Sequence, residues 1–316
     1  MPIRKTFFLL ILWLSLILVK DSSNSIWSQS NSQFELDANR VPWVNLFFQA
    51  KSFWVDVTNH LHLEPKSAAE VESALIKSTQ GDAIEIPAAG GYKLTSDTII
   101  DSIFQPTVKI SDQVWFDPKD ATALGRTMLR RGEDDFKKIY RFTQQGVFRH
   151  RWEPKNQEEA KKDPEQWTDV LDTFYPHNLA QLGCANVSER LLLVYIVSAL
   201  EQLDNDKPQF LCIFGKRQLF EVQLKSAGLH SVEIDFVEKR HQNEHHRQGT
   251  VKAHKILLKT RPLESSLEKE ENFSFLGFHK KIAFFIDPTS RLPIQVSGEI
   301  PTVGNATLKL REVQLR

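Results

Sequence analysis

This chain lacks most of the features that assign a function quickly. It has no net charge, because 40 Lys and Arg are set against 40 Asp and Glu. A chain without excess charge exerts no global pull on nucleic acid or on an anionic membrane surface. It contains no Gly-x-Ser-x-Gly elbow, no glycine-rich phosphate loop, no Cys-x-x-Cys and no dinucleotide fingerprint. The common sequence-local routes to acyl transfer, nucleotide binding and dithiol chemistry are therefore missing. Scattered Ser, His and Asp can still meet in space, so a hydrolase stays as the third-ranked reading. No repeat of fixed period is present. After Val19 no apolar run approaches the ~20 residues a membrane span needs. Neither cysteine lies near the N-terminus, which excludes lipid attachment to an N-terminal Cys.

The first residues carry a clear address. Arg4 and Lys5 precede an uncharged apolar run from Phe7 to Val19. That run is short for a span and fits the core of a secretory signal. Ser23 and Ser25 supply small side chains for a cut before Ile26, giving a signal over 1–25. Lys20 and Asp21 just past the run leave an uncleaved anchor as the alternative. Residues 26–40 are polar and read as a flexible leader. Residues 41–316 read as a single β-rich domain, with an internal boundary near 153–165, where the chain is highly charged. Export to the periplasm follows, with outer-membrane association or secretion as variants.

Periodicity in the body points to strands. Val44, Leu46, Phe48 and Ala50 alternate with mostly polar neighbours, and a phase slip at Phe53 predicts a bulge or a sharp coil. Ser67 and Glu70 form a capping box for a short helix that stops at Gly81. Lys138–Phe142 and Val147–Trp152 flank Gln144-Gln145-Gly146 as a hairpin. Asp163-Pro164 reads as the cap and first residue of another short helix. Arg190–Leu203, begun by Asn186 and Glu189, predicts one helix of about 16 residues that is apolar nearly all round, hence buried. From Phe210 onward nearly everything alternates. The expected fold is mainly β (α+β): a long curved antiparallel sheet, approaching a half-open barrel, wrapped around one apolar helix.

Candidate chemistry is sparse. His241, Glu244, His245 and His246, with His254 beyond, could ligate zinc or copper. Lys239, Arg240 and Arg247 surround them, and the order is not that of a zinc protease, so a solvated hairpin tip is expected, with no metal and no cofactor. Arg126, Arg130, Arg131, Lys137 and Lys138 are interrupted by Glu133, Asp134 and Asp135, and read as a solvated turn rather than a nucleic-acid site. Asn186, Asn272 and Asn305 open Asn-x-Ser/Thr triplets, which matter only in a glycosylating host. Cys184 and Cys212 are open to two readings, a bridge in an oxidising compartment or two buried thiols.

Aromatic pairs such as Phe47-Phe48, Phe53-Trp54 and Phe284-Phe285 put large side chains on both faces of strands, so the sheet needs a second cover. One short helix hardly fills a long concave face to interior density. An apolar groove is therefore expected between helix and sheet, lined by Phe48, Trp54, Phe142, Trp152, Leu193, Ile196 and Phe220.

The C-terminal half resembles a family of bacterial envelope proteins known only as domain of unknown function 3108. The likeness lies in the apolar helix, in Phe214-Gly215-Lys216-Arg217, in Phe285-Ile286-Asp287-Pro288-Thr289-Ser290-Arg291-Leu292-Pro293-Ile294 and in the final strand from Gly304 to Leu310. The N-terminal half matches in style only. The resemblance implies export and a curved sheet, and no established activity. By looser analogy the fold is similar to periplasmic lipoprotein carriers, half-open barrels that hold acyl chains; fold does not fix function. The first reading is thus a non-enzymatic exported module for a lipid or lipidated protein, without nucleic acid and without a membrane span once the signal is removed. The second is a structural or protein-interaction module of the envelope.

Overall fold

The computed structural model describes residues 36–51, 55–103, 106–202, 207–263, 272–301 and 303–316. Fifteen strands form one sheet. In chain order they are β1 (Trp43–Lys51), β2 (Val55–Lys66), β3 (Gly91–Ser102), β4 (Val108–Phe116), β5 (Ala123–Arg131), β6 (Phe136–Phe142), β7 (Gly146–Glu153), β8 (Asp169–Pro176), β9 (Ser188–Glu189), β10 (Gln209–Phe214), β11 (Leu219–Arg240), β12 (Asn243–Pro262), β13 (Lys280–Ile286), β14 (Pro293–Ile300) and β15 (Gly304–Leu315). Among the described residues there are also four short α-helices: α1 (Ala68–Ala74), α2 (Gln157–Ala160), α3 (Leu179–Leu182) and α4 (Leu193–Ala199). No described helix is long and apolar enough to cross a membrane.

The strand order runs β8 back to β1, then β15 back to β9. Consecutive strands lie side by side except β8 and β9, which stand at opposite ends of the sheet, and the two runs join at one seam, where β1 pairs antiparallel with β15. The first and last strands therefore sit in the middle of the sheet. The long hairpin β11–β12 extends past its other neighbours. Near its tip Val237, Glu238 and Lys239 pair in parallel with Glu312, Val313 and Gln314 of β15. That contact closes β11, β12, β13, β14 and β15 into a ring of hydrogen-bonded strands, a barrel-like solution to the problem of open edges. The hairpin bends at a register shift between Ser226 and Leu229, where Gly228 takes φ +78°, a conformation that suits glycine.

Helix α4 plugs this curved sheet. All of its residues from Leu193 to Ala199 are buried, as the all-round apolar pattern requires. It is shorter than expected. A 3-10 turn over Arg190–Leu192 leads into it, and Leu200 leaves the helix at ψ 136°. The reason is tertiary: the Glu201 carbonyl accepts hydrogen bonds from Arg40 Nη1 at 2.7 Å and Arg291 Nη2 at 2.8 Å, which draws the chain outward. Glu189, not Asn186, caps the turn, accepting from the Leu191 N–H at 2.6 Å. Asn186 instead bonds Thr122 Oγ1. Two polar ties anchor the plug: Trp43 Nε1 donates to Ser198 Oγ at 3.2 Å, and Tyr195 Oη donates to the Pro118 carbonyl at 2.7 Å. The Tyr195 ring meets Phe116 edge-on at 4.9 Å.

Other local expectations divide. The Ser67–Glu70 capping box is present, but α1 ends at Ala74, well before Gly81. Pro164 opens a 3-10 turn whose Asp163 side chain makes no cap hydrogen bond. The phase slip around Phe53 marks the hairpin between β1 and β2, where Lys51 faces Asp56, rather than a bulge within one strand; residues 52–54 lie outside the described residues. Strands β5 and β8 were not expected.

Cys184 and Cys212 are joined, with 5.9 Å between their Cα atoms. The bridge ties the segment after α3 to β10. With 28 residues of sequence separation, loop-closure entropy is worth about 3–4 kcal/mol. A Cys184→Ser/Cys212→Ser variant should lose that amount in urea unfolding, and the wild type should lose the same amount once reduced.

Candidate functional site

The expected groove residues do not line one surface. Phe48, Leu193, Ile196 and Phe220 are 1%, 0%, 0% and 2% exposed and belong to the main core. Phe142 is in a separate cluster with Tyr140, Val147 and Phe214. Trp152 lies on the opposite face of β7, beside His150 at 3.8 Å between ring centroids and under Lys137. Trp54 lies outside the described residues. Alternation shows which side chains point inward. It does not show whether the space they point into is filled, and here α4 and the β11–β12 hairpin fill it at β1–β4.

The face that packs on α4 can be followed outward along the ladders. One row across the inner face reads Leu63, Leu94, Val114, Arg126, Tyr140, Arg149 and Thr173, from β2 to β8. The next reads Leu61, Ser96, Asp112, Met128, Lys138, Arg151 and Leu171. A third runs Asn59, Thr98, Ile110, Arg130 and Phe136. A fourth begins Val57, Ile100 and Val108. Near α4 these rows are apolar and sealed. Farther out, Val57, Ile100, Ile110, Met128, Arg130, Lys138, Arg149 and Arg151 are all half-buried. Val57 packs against the main core; the remainder is inner sheet surface that the core does not cover, apolar at Ile100, Ile110 and Met128 and cationic on β5–β7.

A buried ion cluster separates the sealed region from the open one. Arg126, 2% exposed, gives Nε to Asp112 Oδ1 at 2.8 Å and Nη2 to Asp112 Oδ2. Its Nη1 lies 2.8 Å from Glu189 Oε1, and Arg190 Nε stands 3.5 Å from the same oxygen. Two guanidinium and two carboxylate groups thus balance formally. Burial opposes the charge on Arg126, and Asp112 and Glu189 reverse this, so its pKa lies above the ordinary guanidinium value. Burial pushes the Glu189 carboxyl up, against the pull of Arg126. The cluster also bridges the two strand runs, since Asp112 and Arg126 are on β4 and β5 while Glu189 is on β9. Arg126 had been expected on a solvated turn. Its strand was hidden because Arg126 to Arg131 shows little apolar alternation, and its carboxylate partners are distant in sequence.

Beyond that cluster the charges no longer balance. Lys138 and Arg151 stand directly opposite each other on β6 and β7, an unfavourable like-charge pair. Arg151 pairs with Glu153. Arg149 donates to Thr173 Oγ1 at 3.0 Å and covers the Tyr175 ring. Lys138 lies over the Phe136 ring. Among the described residues neither Lys138 nor Arg149 has a carboxylate within ion-pair distance. Burial first, then Arg151, Arg149, Arg126 and Lys216, push the Lys138 ammonium down to about 7. The His tip is elsewhere: His246 pairs with Asp235 at 2.7 Å on exposed β11–β12, and no group of three metal-ligating side chains occurs among the described residues.

No family model matches the chain, and no curated protein matches it. Among solved structures, the chain is similar to a beta-barrel-like protein of domain of unknown function DUF1849 from Brucella abortus. The two share 7% identity at a TM-score of 0.42, over 87% of this chain and 98% of that one.

The state of Lys138 gives a stability prediction with a definite sign. An unfolded lysine titrates near 10.4, so between that value and about 7 the unfolded chain holds a proton that the folded chain lacks. Stability from this site therefore falls as pH drops through that window, and the penalty is complete below 7. Lys138→Met should stabilise the protein, with a larger gain at pH 6.5 than at pH 10 in thermal unfolding. An equal gain at both values would mean that Lys138 is not depressed.

Proposed function

We propose that this protein is an exported, non-enzymatic binding module of the cell envelope that holds an apolar or amphipathic ligand against the inner face of β3–β7. The observation that carries this reading is the half-buried stretch Ile100, Ile110 and Met128. These are apolar side chains on the core-facing side of a sheet, at a place where α4 does not reach. Covering them with an acyl chain would contribute about 0.8 kcal/mol per buried methylene, so micromolar affinity needs only modest burial after association costs. Arg4, Lys5 and the Phe7–Val19 run support export, and a Cys184–Cys212 bridge suits an oxidising compartment.

A protein partner is the second reading. It is favoured by Val170 and Leu171, 47% and 50% exposed on β8, which ends the sheet and leaves one strand edge unpaired.

The test is titration of the purified protein with a fluorescent acyl probe. Saturable binding that is lost in Ile110→Glu and Met128→Glu is the expected result. Absence of saturable binding, with an envelope protein co-purifying instead, would put the second reading in front. For export, N-terminal sequencing of the protein from the cell envelope should find a chain starting near Ile26. Recovery of an intact Met1 chain in the membrane fraction would establish an anchor.

A further inference from the structure

The open part of the inner face is polarised, and that polarity identifies a ligand class. Met128 and Lys138 are direct neighbours across β5 and β6. On one side the surface continues through Ile110 and Ile100. On the other it continues through Arg151 and Arg149. From Lys138 on β6 to Ile100 on β3 there are three inter-strand spacings, about 14 Å, so one side of the face offers an apolar track. The opposite end presents two guanidinium forks and an ammonium within two strands.

The fold by itself has no use for that arrangement. Lys138 opposes Arg151, with no carboxylate in ion-pair distance of Lys138 among the described residues, and a cation held without a partner beside other cations destabilises the folded state. The structure nearby can neutralise buried charge, because Arg126 is satisfied by Asp112 and Glu189. Among the described residues Lys138 and Arg149 have no such partners. Forked donors match the geometry of a phosphate.

Resting on the ligand-binding reading above, we propose that Lys138, Arg149 and Arg151 form the head-group site for an amphiphile carrying a phosphate anion, whose acyl chain lies along Met128, Ile110 and Ile100.

The site also predicts a proton linkage. The groups facing Lys138 are Arg126 on β5, Arg149 and Arg151 on β7, and Lys216 in the β10–β11 turn. The nearby carboxylates are engaged, Asp112 and Glu189 by Arg126 and Glu153 by Arg151, while Asp169 stands opposite Glu153 at the rim. An anion bound among these cations raises the affinity of Lys138 for its proton, which starts from about 7. Binding therefore takes up a proton near and above neutral pH, and affinity falls as pH rises, by up to about tenfold per pH unit for one proton.

The experiment is calorimetric titration of the purified protein with lysophosphatidylglycerol, with the monoacylglycerol and the fatty acid of the same chain length, and with glycerol phosphate. The phosphodiester keeps one charge across the range used. The expected result at pH 7 is at least tenfold tighter binding of lysophosphatidylglycerol than of monoacylglycerol. That preference should shrink at pH 9 and vanish in Arg149→Met/Arg151→Met. Lys138→Met should remove the pH dependence. Unchanged monoacylglycerol affinity in the variants verifies that they fold. Equal affinity for the charged and uncharged lipids would overturn this inference and leave the binding reading intact. Binding of neither would overturn both. Fatty acid binding as tightly as the phospholipid would overturn the phosphate assignment, and glycerol phosphate binding as tightly would overturn the amphiphile.

Discussion

The ladder between β1 and β15 is the constraint on which the rest of this structure depends. Without it the chain would be two meanders, β1–β8 and β9–β15, each made of strands that pair with their sequence neighbours. Such local pairings form with little loop-closure cost. The seam is different, because it joins strands separated by nearly the whole described chain. Once it forms, Leu46 and Phe48 from one meander lie beside Leu310 and Val313 from the other, all of them buried. The two inner faces then enclose one space, and α4 enters it with no polar side to expose.

How far α4 fills that space determines the character of each part of the sheet. A helix from Leu193 to Ala199 is about 10 Å long, while the inner face spans many strands. Close packing is achieved around Phe116, Tyr195 and Trp43, where rings interlock and the Tyr195 and Trp43 polar atoms find partners. The β5–β7 rows lie beyond the reach of the helix. There the connection through Ser188-Glu189 supplies a carboxylate in place of an apolar cover, and Arg126 takes it. Burying four charges is tolerable only because each guanidinium finds a carboxylate and each carboxylate a guanidinium. That cluster is the point at which an apolar interior becomes a charged surface.

Lys138 and Arg149 sit just past this transition and illustrate a common tension between stability and function. A well-packed fold would place an apolar or acidic residue opposite Arg151. Two cations there weaken the folded state, and such local inconsistencies tend to mark functional sites. The apolar residues beside them, Met128 and Ile110, are half-exposed for the same geometric reason: the sheet continues after its internal cover has ended.

The sequence by itself determined the strand-rich class, the buried character of the Leu193–Ala199 helix, the Ser67–Glu70 cap, the Gln144-Gln145-Gly146 hairpin and the polar tip at His241. Each is set by residues within a few positions of one another, so periodicity and capping chemistry suffice to read it. The sequence also placed Phe48, Leu193, Ile196 and Phe220 on inward faces, since alternation along a strand or around a helix fixes direction. Only the tertiary structure decided that those four are sealed in a core, that Trp152 faces the other way from Phe142, and that β5, which looks like a run of surface charge, crosses the interior. The physical reason is that burial and pairing depend on what lies across the space between strands. Arg126 is satisfied by Asp112 and by Glu189, 63 residues later in the numbering, while Lys138 has cations for neighbours, and no local pattern distinguishes the two.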